Sequence, residues 1–71
     1  MRVAWRCNPY PACFVTVAAE TAEAASLVAE RRFGITDLAL RKLMGPPARV
    51  PQDDETAAKC TVDTVLRIEE Y

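Results

Sequence analysis

The N-terminal residues alternate between apolar and polar. From Arg2 to Cys7, Val3, Trp5 and Cys7 fall on one side and Arg2, Ala4 and Arg6 on the other, the period of two expected of a half-buried strand. Asn8-Pro9-Tyr10-Pro11 breaks the pattern with two prolines in four residues, which no strand interior tolerates. Strand 2–7 is therefore expected to end in a loop. Alternation resumes over strand 12–19, with Cys13, Val15 and Val17 on one face and Phe14 and Thr16 on the other. The simplest geometry is a hairpin; a crossover to a parallel neighbour needs a longer connection. Both faces of 12–19 carry apolar side chains, the mark of a strand covered on both sides.

The period then becomes helical. Thr21 stands where an N-cap hydroxyl can meet the free N–H groups of a first turn. Glu23 follows, a negative charge at the positive end of the helix dipole. Ala24 in place of Glu or Gln leaves the capping box half made. Gly34 can adopt the left-handed conformation that closes a helix. Within helix 21–33, Ala25, Val28, Ala29, Arg32 and Phe33 share one face. The small alanines let that face approach a sheet closely, and Arg32 can lie along it with its head in water. Leu27 lies outside the stripe with Glu23, Ser26, Glu30 and Arg31. It is either a lone exposed leucine or a contact point for a partner.

After Gly34, ITDLALRKLMGPP admits two readings. One is a short helix over 37–44, capped by Thr36, with Leu40, Leu43 and Met44 on one side and Gly45-Pro46-Pro47 as its stop. The other is a strand in which Leu38, Leu40, Lys42 and Met44 alternate against Ala39, Arg41 and Leu43. Capping at both ends and the lack of β-branched residues favour the helix. Residues 45–54 (GPPARVPQDD) predict a loop, and Asp54-Glu55-Thr56 can begin one helical turn through Lys59. Strand 60–70 is rich in Thr, Val and Ile, with Val62, Thr64, Leu66 and Ile68 expected inward and Thr61, Asp63, Val65, Arg67 and Glu69 outward. The order is β-β-α-(α)-β. It predicts an α+β domain, a three- to four-stranded antiparallel sheet with one main helix packed across one face.

Composition narrows the function. Seventy-one residues make one domain, spanning 1–71. Nine basic and ten acidic residues leave a net charge of −1, which argues against a nucleic-acid binder held by its overall field. No apolar run is long enough for a transmembrane helix. Too few apolar residues separate Arg2 from Arg6 for a signal-peptide core, so a cytoplasmic location is expected, with no membrane partner. Cys7, Cys13 and Cys60 are an odd number and histidine is absent. Neither a disulfide framework nor a zinc site fits, although Cys7 and Cys13 could close a loop if strands set them side by side. Reduced cysteines are expected.

Without histidine, Ser/His and Cys/His nucleophile pairs are excluded. With glycine only at 34 and 45 there is no phosphate-cradling loop. Asp53-Asp54 reads as a helix start or a solvated turn rather than a catalytic pair. The expectation is no enzyme, no cofactor and no metal. Binding character remains on the sheet's outer face, where Arg2, Arg6, Phe14, Thr16 and Arg67 would lie together. Arginine beside an aromatic ring suits single-stranded nucleic acid and equally a protein hot spot. The plainer alternative is that a second helix or a partner subunit covers this face. Leu27 and Arg31 on the outward side of the helix complete the candidate partner-binding set.

FVTVAAETAEAASLVAERRFG, followed at the end by VLRIEEY, resembles the strand, Ala/Glu helix, strand pattern of small α+β accessory proteins of phages and mobile elements, among them anti-CRISPR inhibitors. The resemblance covers Phe14–Gly34 and Val65–Tyr71. It implies a stoichiometric inhibitor or adaptor that occupies a surface on a larger protein, and it assigns no residue a role. A protein-binding module is thus the leading expectation. A single-strand nucleic-acid binder and a small structural subunit of an assembly are the alternatives.

Overall fold

In the computed structural model, which describes residues 1–71, the main helix α1 (Ala22–Phe33) begins where its capping residue predicts. Thr21 Oγ1 accepts the N–H of Ala24 at 3.1 Å. The helix closes at Gly34, whose φ of 66° is a conformation open to glycine without strain. Ile35 N–H then donates back to the Glu30 carbonyl at 2.8 Å. Ala25 and Ala29 are fully buried, and Val28 and Phe33 flank them. Arg32 stays exposed, with its guanidinium 5.7 Å over the Phe33 ring.

Four antiparallel strands make the sheet: β1 (Val3–Tyr10), β2 (Cys13–Ala19), β3 (Ala48–Arg49) and β4 (Thr64–Glu70), in the order β3-β1-β2-β4. The fold is α+β. Cys7, Val15, Val17 and Ala19 meet Ala25 and Ala29 of α1, and Ile35 and Met44 close the same cluster. Trp5 packs at its margin and donates its indole N–H to the Ala19 carbonyl at 3.1 Å.

The first strand runs further than its prolines suggest. β1 continues through Asn8 and Pro9 to Tyr10, and only Pro11 and Ala12 form the turn. The expected loop at 8–11 is corrected by a bulge: the register jumps from Cys7↔Val15 to Tyr10↔Cys13. Pro9 has no N–H to give the ladder. Asn8 compensates, its side-chain amide donating to the carbonyls of Tyr10 and Cys13, both at 2.6 Å. Bulges are where such irregular residues fit.

Three further boundaries move. The loop expected over 45–54 contains β3, which pairs with Trp5 and Arg6, and a 3₁₀ turn at Pro51–Asp53. A short helix α3 (Asp54–Ala58) follows and covers one end of the sheet face opposite α1, where Ala57 meets Ala4, Ala18 and Val50. The last strand starts at Thr64 rather than 60, and Val62 is exposed. A bulge at Leu66 also switches its phase, since Val17 pairs with Val65 but Thr16 with Arg67. Val65 and Ile68 therefore face α1, while Leu66 packs on the α3 side, reversing the expectation for Val65 and Leu66.

Residues 37–44 resolve as helix α2 (Leu38–Met44). Its cap is Asp37 rather than Thr36: Asp37 Oδ1 accepts the Ala39 N–H at 2.7 Å. Only Met44 of this helix is buried.

All three cysteines are free. Cys7 and Cys13 are both buried and not opposite each other in the ladder. Burial pushes the Cys7 thiol up to about 11. Burial, and then the charge of Glu70, also raise Cys13. Since the thiolate is the nucleophile, iodoacetamide should label Cys60 in the native protein well before Cys7. After denaturation without reductant, mass spectrometry should find all three thiols alkylated. A disulfide-linked mass would contradict this arrangement.

Candidate protein-interaction surfaces

Beyond the edge of α3, the sheet face opposite α1 carries Arg6, Phe14 and Thr16. The Arg6 guanidinium lies 4.1 Å from the centroid of the Phe14 ring, within cation–π range. Tyr71 meets the same ring edge-on, at a centroid distance of 6.1 Å. Arg67 lies alongside, donating from Nη2 to Asp53 at 2.8 Å and to Thr16 Oγ1 at 3.3 Å, and from Nε to Glu69 at 3.4 Å. The Tyr71 hydroxyl donates to the other Glu69 oxygen at 3.0 Å. That bond, with help from Arg67, holds the Glu69 carboxyl below the usual carboxylate range. Arg6 has no ion-pair partner, and its Nε is buried without a hydrogen bond.

The structure therefore brings together Arg6, Phe14, Thr16 and Arg67, as the alternation predicts, and adds Asp53, Glu69 and Tyr71. Arg2 does not join them, which corrects the expected grouping. Ala4 lies between Arg2 and Arg6 on the strand and is buried beneath α3. Arg2 turns instead to Asp63, at 2.8 Å, and to the Cys60 carbonyl, at 3.2 Å. Leu27 and Arg31 lie on the outward side of α1, and Leu27 is 48% exposed. They form no part of the arginine face.

A different surface escaped the pattern of the sequence. α2 was expected to bury Leu40 and Leu43 beside Met44. Instead Leu38, Leu40 and Leu43 are 63%, 49% and 79% exposed. The helix is held at other points, by Met44 in the core and by Arg41 bonded to Glu30 of α1 at 3.0 Å. Between α2 and the hairpin tip runs a groove of about 240 Å³, lined by Asn8, Pro9, Tyr10, Pro11, Leu40 and Leu43. Tyr10 anchors its wall: its ring packs edge-on against Phe33 at 5.4 Å, and its hydroxyl donates to the Phe33 carbonyl at 3.1 Å. At about 100° per residue Leu38 falls on the side of the helix away from Leu40, Leu43 and Met44, so its exposure was legible in the sequence, whereas that of Leu40 and Leu43, which share a face with the buried Met44, was not.

No three cysteine, aspartate or glutamate side chains stand close enough to hold a metal ion, and no helix is long and apolar enough to cross a membrane. No family model matches the chain, and neither the curated proteins nor the solved structures contain a match.

Proposed function

We propose that the chain is a non-enzymatic protein-binding module that acts by occupying a surface of a larger protein. The observation that supports it is α2. Seven residues are too few to hold a helix by themselves in water, and this one keeps three leucines exposed, two of them, Leu40 and Leu43, lining an apolar groove. Apolar patches of this kind on small domains mark contact surfaces, and a chain of this size gains stability when a partner covers them. An inhibitor of the phage or mobile-element type, anti-CRISPR-like, is one form of this function, and it rests on the resemblance alone. The single-strand nucleic-acid reading loses its support on the sheet face. Arg2 and Arg67 are already bonded to Asp63, Asp53 and Glu69, which leaves Arg6 alone to neutralise phosphate.

The test compares the tagged protein with a Leu40→Ser, Leu43→Ser double variant in extract of the source organism. A larger protein should co-purify in stoichiometric amount with the unaltered chain and be lost from the variant, whose circular dichroism spectrum stays native. Recovery of nucleic acid instead, or of a protein indifferent to the two leucines, would sink the reading.

A further inference from the structure

The leucine groove has a chemistry of its own, and the charges around it differ from those of the remaining surface. From Arg31 to Lys42 the chain carries Arg31, Arg32, Arg41 and Lys42 against a single carboxylate, Asp37. The rest of the molecule carries five cations against nine carboxylates. Pairing sharpens the contrast. Arg2, Arg49, Lys59 and Arg67 each have a carboxylate partner outside this segment. Within it only Arg41 is paired, and Arg31, Arg32 and Lys42 are exposed and free. Arg32 reaches the groove through its neighbours, lying over Phe33, which packs on Tyr10 in the groove wall.

We propose that this groove receives an acidic segment of a partner protein, whose leucine or aromatic side chains enter between Pro9, Tyr10, Leu40 and Leu43 while its carboxylates meet Arg32 beside the groove wall and lie in the positive field of Arg31 and Lys42. The inference rests on the protein-binding reading and deepens it by giving the partner's chemistry. The groove's side-chain donors are already in use, the Asn8 amide on two carbonyls and the Tyr10 hydroxyl on a third. With no free side-chain donor in its walls and Pro9, Pro11, Leu40 and Leu43 around it, the groove favours apolar side chains. At about 240 Å³ the space falls below the usual range of small-molecule pockets, roughly 300–1,000 Å³, and suits side chains presented by a peptide. The surrounding positive field attracts acidic segments and repels basic ones, which sets partner choice more than raw affinity. A lipid surface fits less well. Leu38 points away from Leu40 and Leu43 around the helix, so no single plane buries all three, and a flat membrane leaves a concave groove unfilled.

Selection from a displayed library of random peptides tests this directly, with the Leu40→Ser, Leu43→Ser protein as the counter-selection. The enriched peptides should share one or two leucine or aromatic residues flanked by Asp and Glu. A synthetic peptide of the consensus should bind about tenfold more weakly to the double variant. It should also weaken with rising salt and with Arg32→Glu or Lys42→Glu, exposed substitutions that leave the fold intact. Neutral or basic consensus peptides that still need Leu40 and Leu43 overturn the acidic-partner inference and leave the protein-binding reading standing. So does leucine-dependent pelleting with phosphatidylserine vesicles, or leucine-dependent self-association in sedimentation, when no acidic peptide is enriched. An absence of any leucine-dependent peptide also overturns it.

Discussion

Replacing Ala29 with aspartate is expected to unfold the domain. Ala29 is fully buried where α1 meets the sheet, within a cluster of Cys7, Val15, Val17, Ile35 and Met44. None of these side chains can pair with a carboxylate, so the substitution places an unpartnered charge in an apolar contact. Breaking or omitting a partner for a buried charge costs about 3–5 kcal/mol, close to the roughly 5 kcal/mol a small domain has in total. Val28→Asp, at a half-buried position on the same helix, should cost about 1–3 kcal/mol. Leu27→Asp should stay within about 0.5 kcal/mol, a melting shift of no more than about 4 °C. Thermal melts followed by circular dichroism should give the order Ala29, Val28, Leu27 in severity. Equal damage at Ala29 and Leu27 would mean that the helix faces the sheet with a different side.

The success of α1 as a reading of sequence has a local cause. Its cap, its stop and its apolar stripe all lie within one helix length, and each acts through neighbours in the chain. Thr21, Gly34, Ala25 and Ala29 needed no knowledge of the rest of the fold. The same holds for the alternation that set Arg6, Phe14, Thr16 and Arg67 on one sheet face.

What the sequence concealed depends on distant partners. Pro9 sits inside a strand because Asn8 reaches across to the Cys13 carbonyl, a bond invisible without the register. The Leu66 bulge reverses the roles of Val65 and Leu66, and nothing in TVLRIEE marks which residue is extra. Ala48–Arg49 pairs with β1 for only two residues, too few to generate a period. Arg2 is separated from Arg6 because the helical turn expected after Asp54 docks on the sheet as α3 and covers Ala4, a long-range contact that its own residues do not reveal. The leucines of α2 were misplaced for a different reason. A helix was expected to bury its apolar side chains within its own chain, whereas this one presents them outward, as a binding element can.

Asp54→Ala is expected to loosen that second face of the sheet. Asp54 Oδ1 accepts the N–H of Ala4 at 2.9 Å, and its other oxygen pairs with Arg49. Ala4 is fully buried, so no water can replace the lost acceptor. Leaving such an N–H unsatisfied costs about 1–3 kcal/mol. The aspartate also opens α3, although a helix this short adds little through its dipole. The Arg49 pair is half exposed on both sides and contributes about 0–1 kcal/mol, so Arg49→Ala should be nearly silent. Asp54→Asn separates the two roles, because its side-chain oxygen still accepts from Ala4 after the charge is gone. The melting temperature should fall by roughly 10 °C for Asp54→Ala and by clearly less for Asp54→Asn. Hydrogen exchange should locate the damage, with protection lost at the Ala4 and Val50 amides, since Val50 N–H bonds back to the Ala4 carbonyl at 3.0 Å. The amides of α1, on the opposite face, should keep theirs. If alanine and asparagine prove equally harmful, the charge on Asp54 rather than its bond to Ala4 holds α3 to the sheet.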